Sequence, residues 1–168
     1  MKINPSSAVQ VGHQTVDIDV AYDRFTHNFE KILGKFDPIV VASFAGDPSL
    51  ADKAIEKMEG EQNLMIFGSL NHGLAFRLIG EQPRKAIRYT MGNPRVAIQM
   101  TRHDIRAGLY VPFNVLIYEL SENAIRIEFD RPSSLLGQFG NADVNKVAKE
   151  LDVKLEKVIE KAAQLSRL

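Results

Sequence analysis

Three short stretches hold residue types that could bind or transform a ligand. "YTMGNPRV" sets Asn93 and Pro94 where a helix would begin, with Tyr89 just upstream and Arg95 next to the proline. A helix start exposes free N–H groups, so this turn is a candidate anion site to which Arg95 could add charge. "FDRPSSLLGQFGN" sets Asp130, Ser133 and Ser134 between a strand-like run and a long helical run. Asp130 is a candidate general base there, and the two hydroxyls could line a pocket at a strand end. "NHG" places His72 at a turn, where an imidazole can lean over a pocket as a base or bind a metal or haem. Each stretch has a plainer reading. Asn93 caps a helix, Asp130 and the serines satisfy free backbone groups, and His72 is a solvated turn residue.

Other chemistry is thinner. The chain has no cysteine, which removes thiol nucleophiles, thiolate metal sites and disulfides together. His13, His27, His72 and His103 show no metal-ligand spacing, and adjacent His103 and Asp104 diverge too far to form a base–orienter pair. No nucleophile elbow, phosphate-binding loop or dinucleotide fingerprint is present. Between Pro83 and Ala107, Arg84, Lys85, Arg88, Arg95, Arg102 and Arg106 face only Asp104 in sequence. If residues 95–106 are helical, Arg95, Gln99, Arg102 and Arg106 share one face. That face meets either an anionic ligand or solvent and acids such as Glu119, Glu122 and Glu128. The whole chain balances 21 basic against 21 acidic residues, which argues against a dedicated nucleic-acid binder.

The elements that must position these residues follow from periodicity. A chain of 168 residues fits one domain, here 15–168 behind a loose N-terminal arm over 1–14. Val16–Val20 alternates as a strand, and Phe25, Phe29, Ile32 and Leu33 mark a helix stopped at Gly34. The run "PIVVASFAG" reads as core strand or helix. Asp47-Pro48 opens a helix through about Met58. "NLMIFGSLNHGLAFRLIG" reads as a hairpin turning at Asn71-His72-Gly73. "AIRYTMG" is a strand with Ile87, Tyr89 and Met91 on one face, and 95–106 reads as helix in preference to strand. "VPFNVLIYEL" is apolar on both faces and reads as a central strand, with "IRIEFD" the next strand. Val144, Val147, Ala148, Leu151, Leu155, Val158, Ile159 and Ala162 form the apolar stripe of a long final helix, with Glu150 and Lys154 spaced to pair on its other face. The expected fold is α+β: a two-layer sandwich with one mixed sheet of about five or six strands and helices on one face. No apolar run is long enough to span a membrane, and the start lacks the apolar core of a signal peptide, so a cytoplasmic location is expected.

"IRYTMGNPRVAIQM", "AGLYVPFNVLIYEL", "EFDRPSSLLGQFGN" and "VAKELDVKLEKVIEKAA" occur in the order found in domain-of-unknown-function family 302, and "LMIFGSLNHGLAFRLIG" is similar to that family's hairpin. The resemblance runs from about Val16 to Ala163. It implies a compact two-layer domain that is commonly dimeric, with no established reaction and no defined cofactor. The family's recurring positions correspond here to His72, Gly73, Tyr89, Gly92, Asn93, Pro94, Tyr110, Pro112, Asp130, Pro132, Ser133 and Ser134. Arg95 departs from the family pattern, where an aliphatic residue is more usual. The leading expectation is a homodimer binding a small or anionic molecule near Asn93, Arg95, Asp130 and Ser133, with His72 at the rim. The alternatives are an enzyme with Asp130 or His72 as general base, and a metal or haem ligand role for His72.

Overall fold

The computed structural model describes residues 1–40 and 46–168. Most of the apolar run "PIVVASFAG" lies outside them. One mixed six-stranded sheet has the order β1-β6-β5-β4-β3-β2, built from β1 (His13–Ile18), β2 (Gly34–Lys35), β3 (Met65–Asn71), β4 (Ala86–Gly92), β5 (Phe113–Ser121) and β6 (Ala124–Asp130). β2 runs parallel to β3, and every other pair is antiparallel. The described helices are α1 (Tyr22–Ile32), α2 (Pro48–Met58), α3 (Pro94–Thr101), α4 (Pro132–Leu136) and α5 (Ala142–Arg167).

The sheet is covered on one face. Tyr89 and Met91 on β4, Val115 and Ile117 on β5, and Ile125 and Ile127 on β6 join Phe25 and Phe29 of α1 in the core, beneath the apolar stripe of α5. Asn141 starts α5 by accepting from the N–H groups of Asp143 at 3.0 Å and Val144 at 3.2 Å, and all eight stripe positions read from the sequence face that core. The opposite face is open and carries His13, Asp17, Arg126, Glu128 and Asp130, with Leu116 and Tyr118 half-buried among them. β5 is therefore central, as its apolar character implied, yet only one of its faces is fully buried.

Four local expectations change. Strand β1 begins at His13 and ends at Ile18, so it takes in the end of the expected arm. The run after His72 is not a return strand: Gly73–Ile79 is 3-10 helix, and β3 pairs instead with Ala86–Gly92. A Cβ at Gly73 would lie 1.7 Å from the Arg84 carbonyl oxygen. Arg84 N donates back to Gly73 O at 3.2 Å, so this backbone crossing closes the loop and leaves Leu78 and Ile79 outside the sheet. Helix α3 ends at Thr101, short of residue 106. Asp104 accepts from Arg106 N at 3.0 Å and caps a new 3-10 stretch, so Arg106 does not share a helix with Arg95. Finally, Glu150 and Lys154 form no ion pair despite their spacing: Lys154 Nζ donates to Gln62 O at 3.3 Å instead.

Candidate functional site

A cleft of about 850 Å³ opens between α2 and α3, with α5 contributing Lys154 to its wall. Its apolar lining comes from Ala51 and Ile55 on α2 and from Pro94, Val96, Ala97 and Ile98 on α3. The helices stand there for local reasons. Asp47 caps α2 through Ser49 N at 2.9 Å, and Pro48 fits its first turn. Asn93 caps α3 through Arg95 N at 2.8 Å, again ahead of a first-turn proline. The far end of α2 is pinned where Gly60 crosses Gly34, since a Cβ on Gly60 would sit 2.2 Å from Gly34 N. Gly34 thus ends α1 by lying in a close backbone crossing.

The polar centre of the cleft is one connected cluster. Asn93 is only 3% exposed, and its Nδ2 donates to Glu59 Oε1 and to Asn63 O, each at 2.7 Å. Glu59, whose side chain is 8% exposed, also accepts from Asn63 Nδ2 at 2.5 Å and from Arg95 Nη1 at 3.2 Å. Partial burial resists ionisation of Glu59, but the donors Asn93, Asn63 and Arg95 outweigh it and hold the carboxyl below its usual range. Arg95 reaches across to Asp52 at 2.8 Å and lies 4.0 Å from Glu56. On the other side of the first α3 turn, an apolar cavity of about 200 Å³ is lined by Phe67, Met100, Val111, Pro112, Phe113 and Leu151. Asn93, Pro94, Val96 and Ala97 line both spaces.

The sequence-predicted residues divide among several places. Asn93 and Arg95 share the cleft. Arg95 is turned toward Asp52 and Glu56 of α2, at the rim of the cleft and away from the core. The N-terminus of α3 is closed to anions: besides the Asn93 cap, Val96 N and Ala97 N donate to Asn93 O at 3.0 and 2.8 Å. Tyr89 is buried in the sheet core, donates to Glu30 Oε1 at 2.6 Å, and has its phenol pushed well up by burial and then by that bond. His72 is exposed at the start of the 3-10 loop and makes no side-chain cap bond. Among the described residues no group of three or more His, Asp and Glu side chains is placed to hold a metal ion.

The Asp130 turn leaves the same end of the sheet as the Asn93 turn, because β4 and β6 both run antiparallel to β5. Two inter-strand spacings of about 4.8 Å separate them. Their side chains nonetheless work on different surfaces. Asp130 points to the open face and meets His13 Nδ1 at 2.8 Å, while His13 Nε2 meets Glu128 Oε2 at 2.8 Å. With a carboxylate on each ring nitrogen, the Asp130 bond and then the Glu128 bond hold the imidazole pKa above its usual value. Tyr118 donates to the other Glu128 oxygen at 2.5 Å, and Arg126 clamps Asp17 beside it. Ser133 bonds the α5 residue Asp152 through its N–H at 3.0 Å and its hydroxyl at 2.5 Å. Ser134 donates to Arg131 O at 2.8 Å and accepts from Gly12 N at 2.9 Å. The serines therefore stitch the turn to α5 and to the start of β1.

Most of the basic run is neutralised. Arg84 pairs with Glu81, Lys85 with Asp23 and Glu119, and Arg106 with Asp104. Sequence reading missed Glu59, Asn63 and Lys154 in the cleft and His13 beside Asp130. Glu59 and Asn63 lie on either side of Gly60 in a stretch with no recognisable motif, and His13 comes within reach only through the β1–β6 register.

Comparison with known proteins agrees with this architecture. The family model described as "Domain of unknown function DUF302" matches residues 39–162. A crystal structure of an uncharacterized conserved DUF302 protein from Bacillus stearothermophilus superposes with a TM-score of 0.62 at 13% identity, covering 89% of this chain and 97% of that one. At that identity the likeness speaks for the fold. No curated protein matches the chain. The family match spans most of α2 to α5, including the cleft and both polar turns, and on it the chain belongs to the DUF302 family of domains of unknown function.

Proposed function

We propose that the protein binds a small organic molecule in the cleft between α2, α3 and α5. The observation that carries this reading is a cluster of nearly buried Asn93 and Glu59 side chains with half-buried Arg95, set into a largely apolar cleft of about 850 Å³. Ligand sites of roughly 300–1,000 Å³ commonly combine an apolar lining with a few fixed polar groups. The cluster favours binding over catalysis. Its members satisfy one another, and no nucleophile stands beside a base within it. Asp130 and His72, the candidate bases, lie outside the residues that line the cleft. A fragment screen read by amide NMR tests the reading. Binders should shift signals of Ala51, Ile55, Asn93 and Val96, and binders that shift only open-face residues such as Thr15 and Arg126 would refute it.

Two coarser proposals accompany it. The open sheet face carries exposed Leu70 and Leu120 with half-buried Leu116, and we assign it to a homodimer contact. Light scattering that returns a monomer at high concentration would exclude that assignment. Among the described residues no helix is long and apolar enough to cross a membrane, and we propose a cytoplasmic location, checked by cell fractionation.

A further inference from the structure

We propose that the cleft ligand is a small carboxylate with an apolar body, and that Lys154 receives the carboxylate. This rests on the cleft being a ligand site, and it shifts the anion-binding group away from the residues that sequence alone picked out. Arg95 is already engaged by Asp52 and Glu59, with Glu56 nearby. The first N–H groups of α3 are engaged by Asn93. The Arg95 charge is thus met by carboxylates, and the α3 N–H groups by a neutral cap.

Lys154 differs on both counts. It sits on α5 at the edge of the apolar stripe, half-buried, and lines the cleft. Its helical neighbour Glu150 is four residues away, the spacing at which such pairs ordinarily form. The ammonium turns from Glu150 and donates to the backbone carbonyl of Gln62 at 3.3 Å. Among the described residues no carboxylate lies within ion-pair distance of it. An ammonium has three donors, so one neutral carbonyl leaves two protons and the full charge for a further partner.

The wall that holds Lys154 is itself unusual. Gln62 and Asn63 both have left-handed backbone, with φ of 55° and 61°. Consecutive non-glycine residues in that region are uncommon and are kept there by surrounding bonds. Here Asn63 is held by Glu59 and by Asn93, and the Gln62 carbonyl is thereby presented to Lys154. The loop fixes a cation beside an apolar surface made by Ala51, Ile55, Pro94 and Ile98. A hydrocarbon or aryl body suits that surface, and a carboxylate suits the remaining donors.

The test uses octanoate, octanamide and octylamine, with binding measured by calorimetry and located by amide NMR on the intact protein. Octanoate should bind roughly tenfold tighter than octanamide, as expected for one charge-assisted hydrogen bond, with octylamine weakest. Lys154→Gln should abolish the octanoate preference, and Lys154→Arg should retain it. Lys154→Met, which keeps the aliphatic stem, serves if the glutamine variant does not fold. Octanamide or octylamine binding in the cleft as tightly as octanoate would overturn the carboxylate assignment and leave the cleft reading standing. A preference that survives in Lys154→Gln would overturn the role of Lys154. Failure of every probe to shift cleft signals would overturn both.

Discussion

Asn93 should be the most consequential single side chain in the cleft. Replacing it with alanine removes the α3 cap, which contributes about 1 kcal/mol. It also removes the donor to Glu59, a carboxylate whose side chain is 8% exposed. A hydrogen bond to a charged group contributes about 1.5–3 kcal/mol. The Asn63 carbonyl belongs to an exposed residue and can take up water, so we assign it little. Asn93→Ala should therefore destabilise by about 3 kcal/mol near pH 7 in urea unfolding. Asn93→Ser keeps a capping oxygen but falls short of Glu59, and should recover about 1 kcal/mol of that loss. Asn93→Asp keeps the cap but puts an oxygen where a nitrogen stood 2.7 Å from Glu59 Oε1, and should be worse than alanine near pH 7. The pH dependence follows from the lowered pKa of Glu59. A depressed carboxyl stabilises the fold above its unfolded value of 4.5, and that contribution is lost as pH falls through the folded value. The deficit of Asn93→Ala should accordingly shrink below about pH 4, and that of Asn93→Asp should shrink more, because one carboxyl then takes a proton and donates. A deficit below about 1 kcal/mol for alanine, or one independent of pH, would refute this account of the cluster.

Other outcomes follow from the same geometry. His13 has a raised pKa, so the stability it contributes is full below its unfolded value of 6.5 and is lost as pH rises through the folded value. His13→Gln should lower the urea midpoint at about pH 6 and have much less effect at about pH 9, and equal effects at both would contradict the bridge to Asp130 and Glu128. Gly60→Ala would drive a Cβ to 2.2 Å from Gly34 N, so it should destabilise by about 3 kcal/mol or more in urea unfolding, and a neutral result would deny the close crossing. Leu155 on α5 has no exposed surface, and Leu155→Ala should cost about 2–5 kcal/mol in the same assay.

What was legible in the sequence was what short-range physics decides. Asp47, Asn93 and Asn141 are recognisable caps because the bond each makes lies two or three residues away. The α5 stripe is legible because one buried face repeats through seven turns of helix. The hairpin after His72 was misread because an apolar run implies a strand only if a partner is free, and the Gly73–Arg84 crossing withholds it. The partners of the candidate residues were hidden by distance along the chain. His13 and Asp130 are 117 residues apart and meet through strand register, and Arg95 finds its acids on α2 and just past its end, 36 residues before it at Glu59. Lys154 was masked for the opposite reason, since Glu150 offered a nearby partner that it does not take.

The most direct test of the cleft as a binding site is a crystal structure of the protein with its tightest fragment or co-purified molecule. The account predicts that molecule between α2 and α3, in contact with Ile55 and Val96 and within hydrogen-bond reach of Lys154 or the Asn93–Glu59–Arg95 cluster. A tight ligand seated on the open sheet face beside His13 and Tyr118, with the cleft unchanged, would contradict it.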